Sequence, residues 1–347
     1  MNLDEHPLVS ICMPAYNHEN YVQDAIQSII EQEYRNIELL IINDGSTDGT
    51  HQKIEALRKI CEKRFIRFIY INRENKGLTQ TFNELLELSK GVYFSPMASD
   101  DLLPKNRISS FINYFKTNLH SDFCYSGYYN IDEEGDIIRK VISSKVDIIF
   151  NDVLFGLYNA SFISYMFKTH FIREIGAYST DVTMEDWDLA LRLTYTYGNI
   201  HFINDTLYCH RLHETNTHKL DNGMQTERLK ILSKYHHFKD YKKAYFHWKI
   251  LRYNLIDEYV LNEFKEWLNC KLAKFNSDKY IIYGSGTFGN LIKELIGEKF
   301  IGFIDQNTIR LKNNHEHIII SVLGRENTII QFLKDNFDIK EDKIIVL

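Results

Sequence analysis

Four short apolar segments near the start of the chain are each followed at once by side chains that could bind a ligand. The polar segments are Pro14–Asn17, Asn43–Asp48, Asn72–Gly77 and Ala98–Asp101. A tyrosine ring can stack on a nucleobase, an aspartate can accept a hydrogen bond from a base or a ribose, and paired carboxylates can hold a divalent cation that also contacts phosphates. Together these side chains predict a pocket for a nucleotide, its diphosphate and a metal ion.

Each polar segment also has an ordinary structural interpretation. Asn43–Ser46 is typical of a turn, and Asp48 is a plain helix cap. Asp100 and Asp101 could equally cap the next helix. The agreement of four segments favours the binding interpretation, because ligands of open parallel sheets bind at the carboxyl ends of the strands.

The elements that would position these segments are visible in the apolar pattern. Short runs rich in Ile, Val, Tyr or Phe predict strands at Leu8–Met13, Ile37–Ile42, Phe65–Ile71 and Val92–Met97. Apolar residues at helical spacing predict helices at Tyr21–Ile30, Gln52–Cys61 and Leu78–Leu88. This alternation predicts an α/β fold, in which a parallel sheet has helices on both faces.

The rest of the chain divides into three further stretches. Residues 105 to about 215 are mixed, with the following signals: helices near Ile108–Phe115 and Trp187–Tyr197, and strands near Phe123–Tyr129, Phe162–Phe167 and Ile200–His210. Gln225–Ser277 contains no proline or glycine and predicts a helical connector. The last 70 residues again alternate strand and helix. We therefore predict domains at 1–220, 221–277 and 278–347.

The composition excludes several classes of protein. The 347 residues carry 41 Lys+Arg and 47 Asp+Glu, so the net charge of −6 argues against a nucleic-acid binder. No apolar run approaches the length of about 20 residues that crosses a bilayer. The acidic N-terminus does not resemble a signal peptide. Five cysteines without a close pair predict neither disulfides nor a zinc site, and a cytoplasmic protein is expected.

Residues 7 to about 215 resemble the inverting glycosyltransferases of family 2, which have the GT-A fold. The matching segments are Val9–Asn17, Ser28–Gln32, Glu38–Asp48, Asn75–Gly77, Asn83, Ser99–Asp101, Glu185–Asp188 and Tyr208–His213. The resemblance implies a metal-dependent enzyme that transfers one hexosyl or N-acetylhexosaminyl group, with inversion, from a nucleotide-sugar to a hydroxyl group. It implies UDP as the nucleotide, and a capsule, O-antigen or lipid-linked oligosaccharide as the acceptor.

The same resemblance implies roles for individual residues. The nucleotide-binding candidates are Pro14, Ala15, Tyr16, Asn17, Asp44, Asn75, Lys76, Gly77 and Ser99, of which Ala15, Tyr16 and Asp44 would hold the uracil or ribose. The candidate ligands of Mn²⁺ or Mg²⁺ are Asp100, Asp101 and His213, with His210 as the alternative to His213. Ala98 replaces the first aspartate of the family's Asp-x-Asp motif. Which of the two aspartates is the main ligand therefore stays open.

The candidate catalytic base is Asp186, with Glu185 as the alternative, because the pair matches the family's Glu-Asp pair ahead of a helix. A carboxylate has to take the proton of the attacking hydroxyl. Acidic residues also open helices simply because they interact favourably with the helix dipole, so a structural role stays open. Lys76 and Arg211 could reach the diphosphate, although solvated positions are equally compatible with their sequence context.

The tail carries a second nucleotide-like pattern. Gly284, Gly286 and Gly289 follow a predicted strand, and Asp305 lies 21 residues after the first glycine, as in a dinucleotide-binding fingerprint. The tail has room for only about half of a dinucleotide fold. We expect a Rossmann-like unit that serves in scaffolding, in homo-oligomer formation or in nucleotide-sugar sensing. A dinucleotide-dependent sugar oxidoreductase and a non-catalytic nucleotide-sugar-binding assembly protein are the alternatives.

The connector carries two further patterns. Residues 228–252 contain eight Lys/Arg and one acid with aromatic residues between them, which could place this segment on an anionic membrane surface. Packing in a core is the alternative for those aromatic residues. Gln225–Arg228 is similar to an acceptor-binding signature of processive synthases, but Leu229 replaces the expected tryptophan. We therefore expect a non-processive enzyme.

Overall fold

The computed structural model describes residues 6–143, 145–157, 163–214, 223–252, 257–275, 277, 279–304, 317–321, 326–337 and 339–347. The chain forms two compact units, Met1–Glu227 and Arg228–Leu347. The predicted strand–helix alternation of the first hundred residues is confirmed, and so is a second, smaller parallel sheet in the tail.

The first unit is an α/β structure built on one large sheet. Its strands are β1 (Val9–Ala15), β2 (Ile37–Asp44), β3 (Arg67–Arg73), β4 (Tyr93–Pro96), β5 (Phe123–Ile131), β6 (Ile137–Val141), β7 (Asp147–Ile149), β8 (Tyr165–Lys168) and β9 (Asn199–Arg211). Its helices are α1 (Val22–Ile30), α2 (Thr50–Arg64), α3 (Leu78–Leu88), α4 (Arg107–Thr117), α5 (Phe150–Phe155), α6 (Thr169–Glu174) and α7 (Glu185–Tyr197).

The sheet is parallel in its first half and mixed beyond it. Its strand order is β3-β2-β1-β4-β8-β5-β9-β7, with β6 paired to β5. Strands β1 to β4 pair in parallel, whereas β8 is antiparallel to both of its neighbours, β4 and β5. Apolar periodicity predicts that a segment is a strand but contains no information on the direction of its neighbour. The parallel sheet predicted for the first hundred residues is confirmed in β1–β4, and the pair of β5 and β9 is parallel as well.

The register of the parallel strands brings the predicted polar segments to one edge. Ala15 at the end of β1 is level with Asn43, and Asp44 at the end of β2 is level with Arg73. Every residue of β1, β2 and β4 is buried. Because successive side chains of a strand point to opposite faces, helices and loops must cover both faces of this part of the sheet.

The second unit contains a four-stranded parallel sheet of order β11-β10-β12-β13. Its strands are β10 (Tyr280–Tyr283), β11 (Phe300–Ile304), β12 (His317–Ile320) and β13 (Ile344–Val346). Helix α8 (Met224–Ser233) crosses the boundary between the units, and the later helices are α9 (Tyr241–Phe246), α10 (Glu258–Leu272), α11 (Thr287–Ile296) and α12 (Glu326–Phe337). A π-helical segment (His247–Arg252) follows α9, and 3₁₀ turns lie at Gly297–Lys299 and Glu341–Lys343.

The connector and the tail share one hydrophobic core. Phe246, Val260 and Phe264 from the connector pack in the same cluster as Ile282 and Phe288 from the tail. The domain boundary at residue 277 stays a prediction. The described residues of the connector contribute side chains to the hydrophobic core of the unit that contains the tail. Within the described ranges, no helix combines the length and the apolarity that a bilayer crossing requires.

Candidate active site

The loop after β1 is fixed to the loop after β2. Asn17 adopts a left-handed backbone conformation with φ of 53°. Its side-chain Oδ1 accepts the Thr47 amide at 2.8 Å, and its own amide donates to the Ser46 hydroxyl at 2.9 Å. Pro14 and Ala15 are buried at the end of β1, whereas the Tyr16 ring is 48% exposed. The loop is therefore held by Asn17 and leaves Tyr16 about half exposed to solvent.

Asp44 holds the loop that follows β3. Its two carboxylate oxygens accept the backbone amides of Lys76 at 2.8 Å and Gly77 at 2.9 Å, and the Arg73 guanidinium also donates to it. Asp44 is almost fully buried, whereas the side chains of Asn75 and Lys76 are exposed. Lys76 Nζ pairs with Glu84 at 2.7 Å. The structure thus brings four predicted residues together, with Asp44 as their centre.

Ser99 and Asp100 lie in a cluster with two histidines. His213 Nε2 is 2.9 Å from Asp100 Oδ2, and His18 Nε2 is 3.6 Å from the same oxygen. His18 Nδ1 is 2.8 Å from the hydroxyl of Ser99, which is itself buried. The cluster therefore joins the loop after β1, the end of β4 and the segment after β9.

Asp101 points into a different network. Its Oδ2 accepts the hydroxyl of Tyr208 at 2.7 Å, and its Oδ1 accepts the backbone amide of Arg211 at 2.8 Å. His210 Nδ1 lies 3.3 Å from Oδ1. The buried guanidinium of Arg211 donates to the carbonyl of Asp100 at 2.9 Å, so this arginine holds the aspartate turn from inside the fold.

The two aspartates have opposite electrostatic environments. Burial acts to raise the pKa of Asp100, but the hydrogen bond with His213 and the nearby His18 ring outweigh burial and keep this pKa below its usual range. For Asp101, burial and then the charge of Asp100 raise the pKa. Asp100 is thus the member of the pair that is held as a carboxylate facing the imidazoles.

His18, Asp100 and His213 fit a divalent cation. Each offers one ligand atom, and the three atoms lie within 4.8 Å of one another. Imidazole nitrogen combined with carboxylate oxygen is a donor set for transition-metal ions. His18 is not among the residues predicted from the sequence, although it follows Tyr16 by two residues at the same strand end. Among the candidates, His210 faces Asp101 and lies outside this set.

Glu185 and Asp186 form the first turn of α7. Asp186 Oδ1 accepts the Trp187 amide at 2.7 Å, and Asp186 lines a small cavity together with Phe123 and Tyr165. Burial and then the neighbouring charge of Asp186 raise the pKa of Glu185 to about 8. Glu185 therefore keeps its proton near neutral pH.

The glycine loop of the tail is tightly packed on itself. A Cβ atom at Gly289 would lie 2.0 Å from the carbonyl oxygen of Gly284, whereas one at Gly286 would meet no atom within 4 Å. The hydroxyl of Ser321 donates to the Gly284 carbonyl at 3.0 Å. Asp305, the fourth member of the predicted fingerprint, lies outside the described residues. The packing of the loop accounts for Gly289 without a ligand.

Comparison with known sequences relates the first unit to sugar transferases. Residues 10–172 match the family model described as glycosyl transferase family 2. An uncharacterized glycosyltransferase of Rickettsia felis is 32% identical over 225 residues, which cover 62% of this chain and 36% of the relative. The putative teichuronic acid biosynthesis glycosyltransferase TuaG of Bacillus subtilis is 30% identical over 148 residues, which cover 43% of this chain and 57% of TuaG. The chain spans about a third of the length of the Rickettsia felis relative.

Comparison with solved structures shows a shared fold. Staphylococcus aureus TarS 1-349 in complex with UDP-GlcNAc superposes with a TM-score of 0.54 at 16% identity, covering 76% of this chain and 72% of TarS 1-349. The mannosyltransferase PcManGT from Pyrobaculum calidifontis, in complex with GDP-Man and Mn²⁺, superposes with a TM-score of 0.52 at 14% identity. The superposition covers 78% of this chain and 76% of PcManGT.

Proposed function

We propose that this protein transfers one sugar, with inversion, from a nucleotide-sugar to an acceptor hydroxyl. The premise is that its first unit belongs to glycosyltransferase family 2 and has the GT-A fold. The observation that carries the proposal is the cluster of Asp100 and His213 at the edge of the sheet where Tyr16 and the Asp44 loop also lie. A nucleotide-sugar bound at that edge would meet an exposed aromatic ring and a group of metal-ligating atoms.

The donor is proposed to be UDP-linked. The exposed ring of Tyr16 is suited to stack on uracil, and the buried Asp44 shapes the neighbouring wall through the amides of Lys76 and Gly77. Each carboxylate oxygen has more than one lone pair, so Asp44 can also accept from the base. The TarS structure with UDP-GlcNAc supports a uridine nucleotide, although the GDP-Man complex of PcManGT shows that the fold also accommodates guanosine.

Asp100 and His213 are proposed to hold Mn²⁺ or Mg²⁺. Such an ion would neutralise the charge that develops on the departing diphosphate. Asp100 is preferred over Asp101 because Asp101 is occupied by Tyr208 and the Arg211 amide. We propose that Asp101 positions the turn, and that Arg211 fixes the same turn through the Asp100 carbonyl.

Asp186 is proposed as the base that takes the proton of the acceptor hydroxyl. With a pKa of about 8, Glu185 carries its proton at neutral pH and cannot accept another. Asp186 is then the member of the pair that is left to act as the general base. The side chain of Asn83 braces the preceding loop, because it pairs with both backbone groups of Tyr178 at 2.9 and 3.0 Å.

The acceptor is proposed to be a surface glycan such as a capsule, an O-antigen or a lipid-linked oligosaccharide. The support is the name of the relative TuaG, which refers to teichuronic acid biosynthesis. Peripheral contact of residues 228–252 with a membrane would suit a lipid-linked acceptor. The buried state of Phe246 and Trp248 means that such contact would depend on the exposed lysines rather than on inserted aromatic rings.

The test is UDP or GDP release from a panel of nucleotide-sugars with Mn²⁺ and a glycan acceptor. Asp186→Asn should lower the rate by about 10²–10⁴-fold, the usual contribution of a general base, and should leave UDP binding intact. Asp136→Asn, an exposed aspartate in the turn between β5 and β6, is the matched control and should retain full rate. Undiminished transfer by Asp186→Asn, or nucleotide binding without turnover of any donor, would contradict the proposal.

A further inference from the structure

His18 is partly buried, and its Nε2 atom lies too far from the nearest carboxylate for a normal hydrogen bond. The distance from His18 Nε2 to Asp100 Oδ2 is 3.6 Å, which is longer than a hydrogen bond. Two atoms bound to one metal at right angles, with bonds of about 2.1 Å, lie roughly 3 Å apart. The spacings of 2.9 and 3.6 Å from Asp100 to the two imidazoles bracket this value.

The other ring nitrogen of His18 sets its orientation. Nδ1 lies 2.8 Å from the Ser99 hydroxyl, which can accept its proton. With the proton on Nδ1, Nε2 keeps the lone pair that a metal ion would need. Histidine ligands of metals are commonly oriented in this way, by a hydrogen bond from the nitrogen that does not bind the ion.

Ring packing restrains both imidazoles. The rings of His18 and His213 meet edge to face with centroids 5.9 Å apart, and Tyr21 lies 4.7 Å from the ring of His213. The guanidinium of Arg211 covers the Tyr21 ring at 5.1 Å. The nitrogen donors are therefore held near Asp100 by rigid neighbours, as a metal site requires.

We infer that His18 is a third protein ligand of the metal ion, so that this site has two imidazole nitrogens and one carboxylate oxygen. The inference rests on the proposed function, because it concerns the same ion. His18 would supply a donor that Ala98 cannot, because a methyl group does not coordinate a metal. Magnesium prefers oxygen ligands, whereas imidazole suits transition-metal ions. A site of this composition selects Mn²⁺ over Mg²⁺.

The test uses the full chain with Mn²⁺ alone and with Mn²⁺ and UDP. Electron paramagnetic resonance would measure Mn²⁺ affinity and, through nitrogen couplings, the number of imidazoles on the ion. His18→Asn should weaken Mn²⁺ binding roughly 10-fold or more, reduce the imidazole count from two to one, and lower the preference for Mn²⁺ over Mg²⁺. The exposed His120, changed to Gln, is the matched control and should alter none of these values.

A second variant keeps the proposal falsifiable if His18→Asn folds poorly. Ser99→Ala retains His18 but removes the acceptor of its Nδ1 proton, and should weaken Mn²⁺ binding by a smaller factor. Unchanged Mn²⁺ affinity with two imidazole couplings in folded His18→Asn would overturn the inference, as would a single coupling in the unmodified protein. A protein that binds Mn²⁺ through two imidazoles yet transfers no sugar would instead overturn the proposed function and leave this inference standing.

Discussion

At the scale of single residues, Asp100 and Asp101 show that the surroundings of a side chain decide which partners it can bind. Their sequence positions make them equivalent candidates, yet Asp100 faces two imidazoles and Asp101 accepts from Tyr208 and a backbone amide. The direction of a side chain depends on the turn that carries it. This turn is fixed by Arg211, which is far away in the sequence.

The titration of Glu185 should make the free energy of unfolding depend on pH. Its pKa is raised from 4.5 to about 8 in the folded protein, so the unfolded chain loses this proton at lower pH than the folded one. The folded state then binds more protons over that interval, and the free energy of unfolding falls as pH rises from about 5 to 8, by at most about 1.4 kcal/mol per pH unit. Glu185→Gln should remove this fall.

Urea denaturation at several pH values measures the effect. Glu174→Gln, an exposed glutamate on α6, is the control and should follow the unmodified protein. If Glu185→Gln and the unmodified protein lose stability in parallel between pH 5 and 8, the carboxyl group of Glu185 titrates normally and the preference for Asp186 over Glu185 as the base loses its support.

The sequence points to some of the candidate site residues and misses His18 for a physical reason. Asp100, His213 and the Glu185–Asp186 pair are named from the resemblance to family 2. His18 is absent from that set because its role depends on three distant segments meeting, namely the ends of β1 and β4 and the residues after β9. Neither spacing nor composition reports such a meeting.

At the scale of elements, the loops after β2 and β3 are fitted closely to each other. Gly45 has φ of 77°, and a Cβ atom there would lie 2.5 Å from the backbone nitrogen of Asn75. Gly77 has φ of 89°, but a Cβ atom there would meet nothing within 4 Å. The two glycines thus share a positive φ, and only at Gly45 is the position of a Cβ atom blocked by the neighbouring loop.

Gly45→Ala should therefore cost more stability than Gly77→Ala. Both substitutions place an L-residue at a positive φ, at about 1–3 kcal/mol, and only Gly45→Ala adds a clash between loops. We expect Gly45→Ala to lower the free energy of unfolding by at least about 1 kcal/mol more than Gly77→Ala, and to weaken UDP binding. Urea denaturation and nucleotide titration measure the two effects. Equal losses for both variants would show that the loops can separate freely.

Most of the elements follow from the sequence, and the exceptions have identifiable causes. The helix predicted at Leu78–Leu88 is observed with those bounds, and the first four strands are in place. Strands β6 and β7 are not predicted, because β6 is largely exposed and β7 has only three residues. The direction of β8 is set by its partners in the sheet, which no local pattern records.

At the scale of the whole molecule, the chain has two compact units. The core of the second unit contains residues of α9, α10 and the tail sheet. The predicted basic connector is therefore a structural part of that unit, and its rings at Phe246 and Trp248 are buried. The sequence predicts these helices but not where their apolar faces pack.

We expect calorimetry to resolve two unfolding transitions, of which UDP with Mn²⁺ raises only one. A ligand that binds one folded unit stabilises it by about 2.7 kcal/mol at 100 times its dissociation constant. Asp100→Asn should abolish the shift without moving the other transition. Equal shifts of both transitions would mean that the tail unit contributes to nucleotide binding or unfolds together with the first unit.

The glycine loop of the tail has a consequence for how mutagenesis there should be interpreted. Any side chain at Gly289 would push apart the Gly284 carbonyl and the start of α11, whatever the loop binds. A loss of function in a Gly289 variant would look like the loss of a cofactor site, although its cause would be disrupted packing of the loop. Gly286, which borders open space, is the position where a substitution would probe recognition itself.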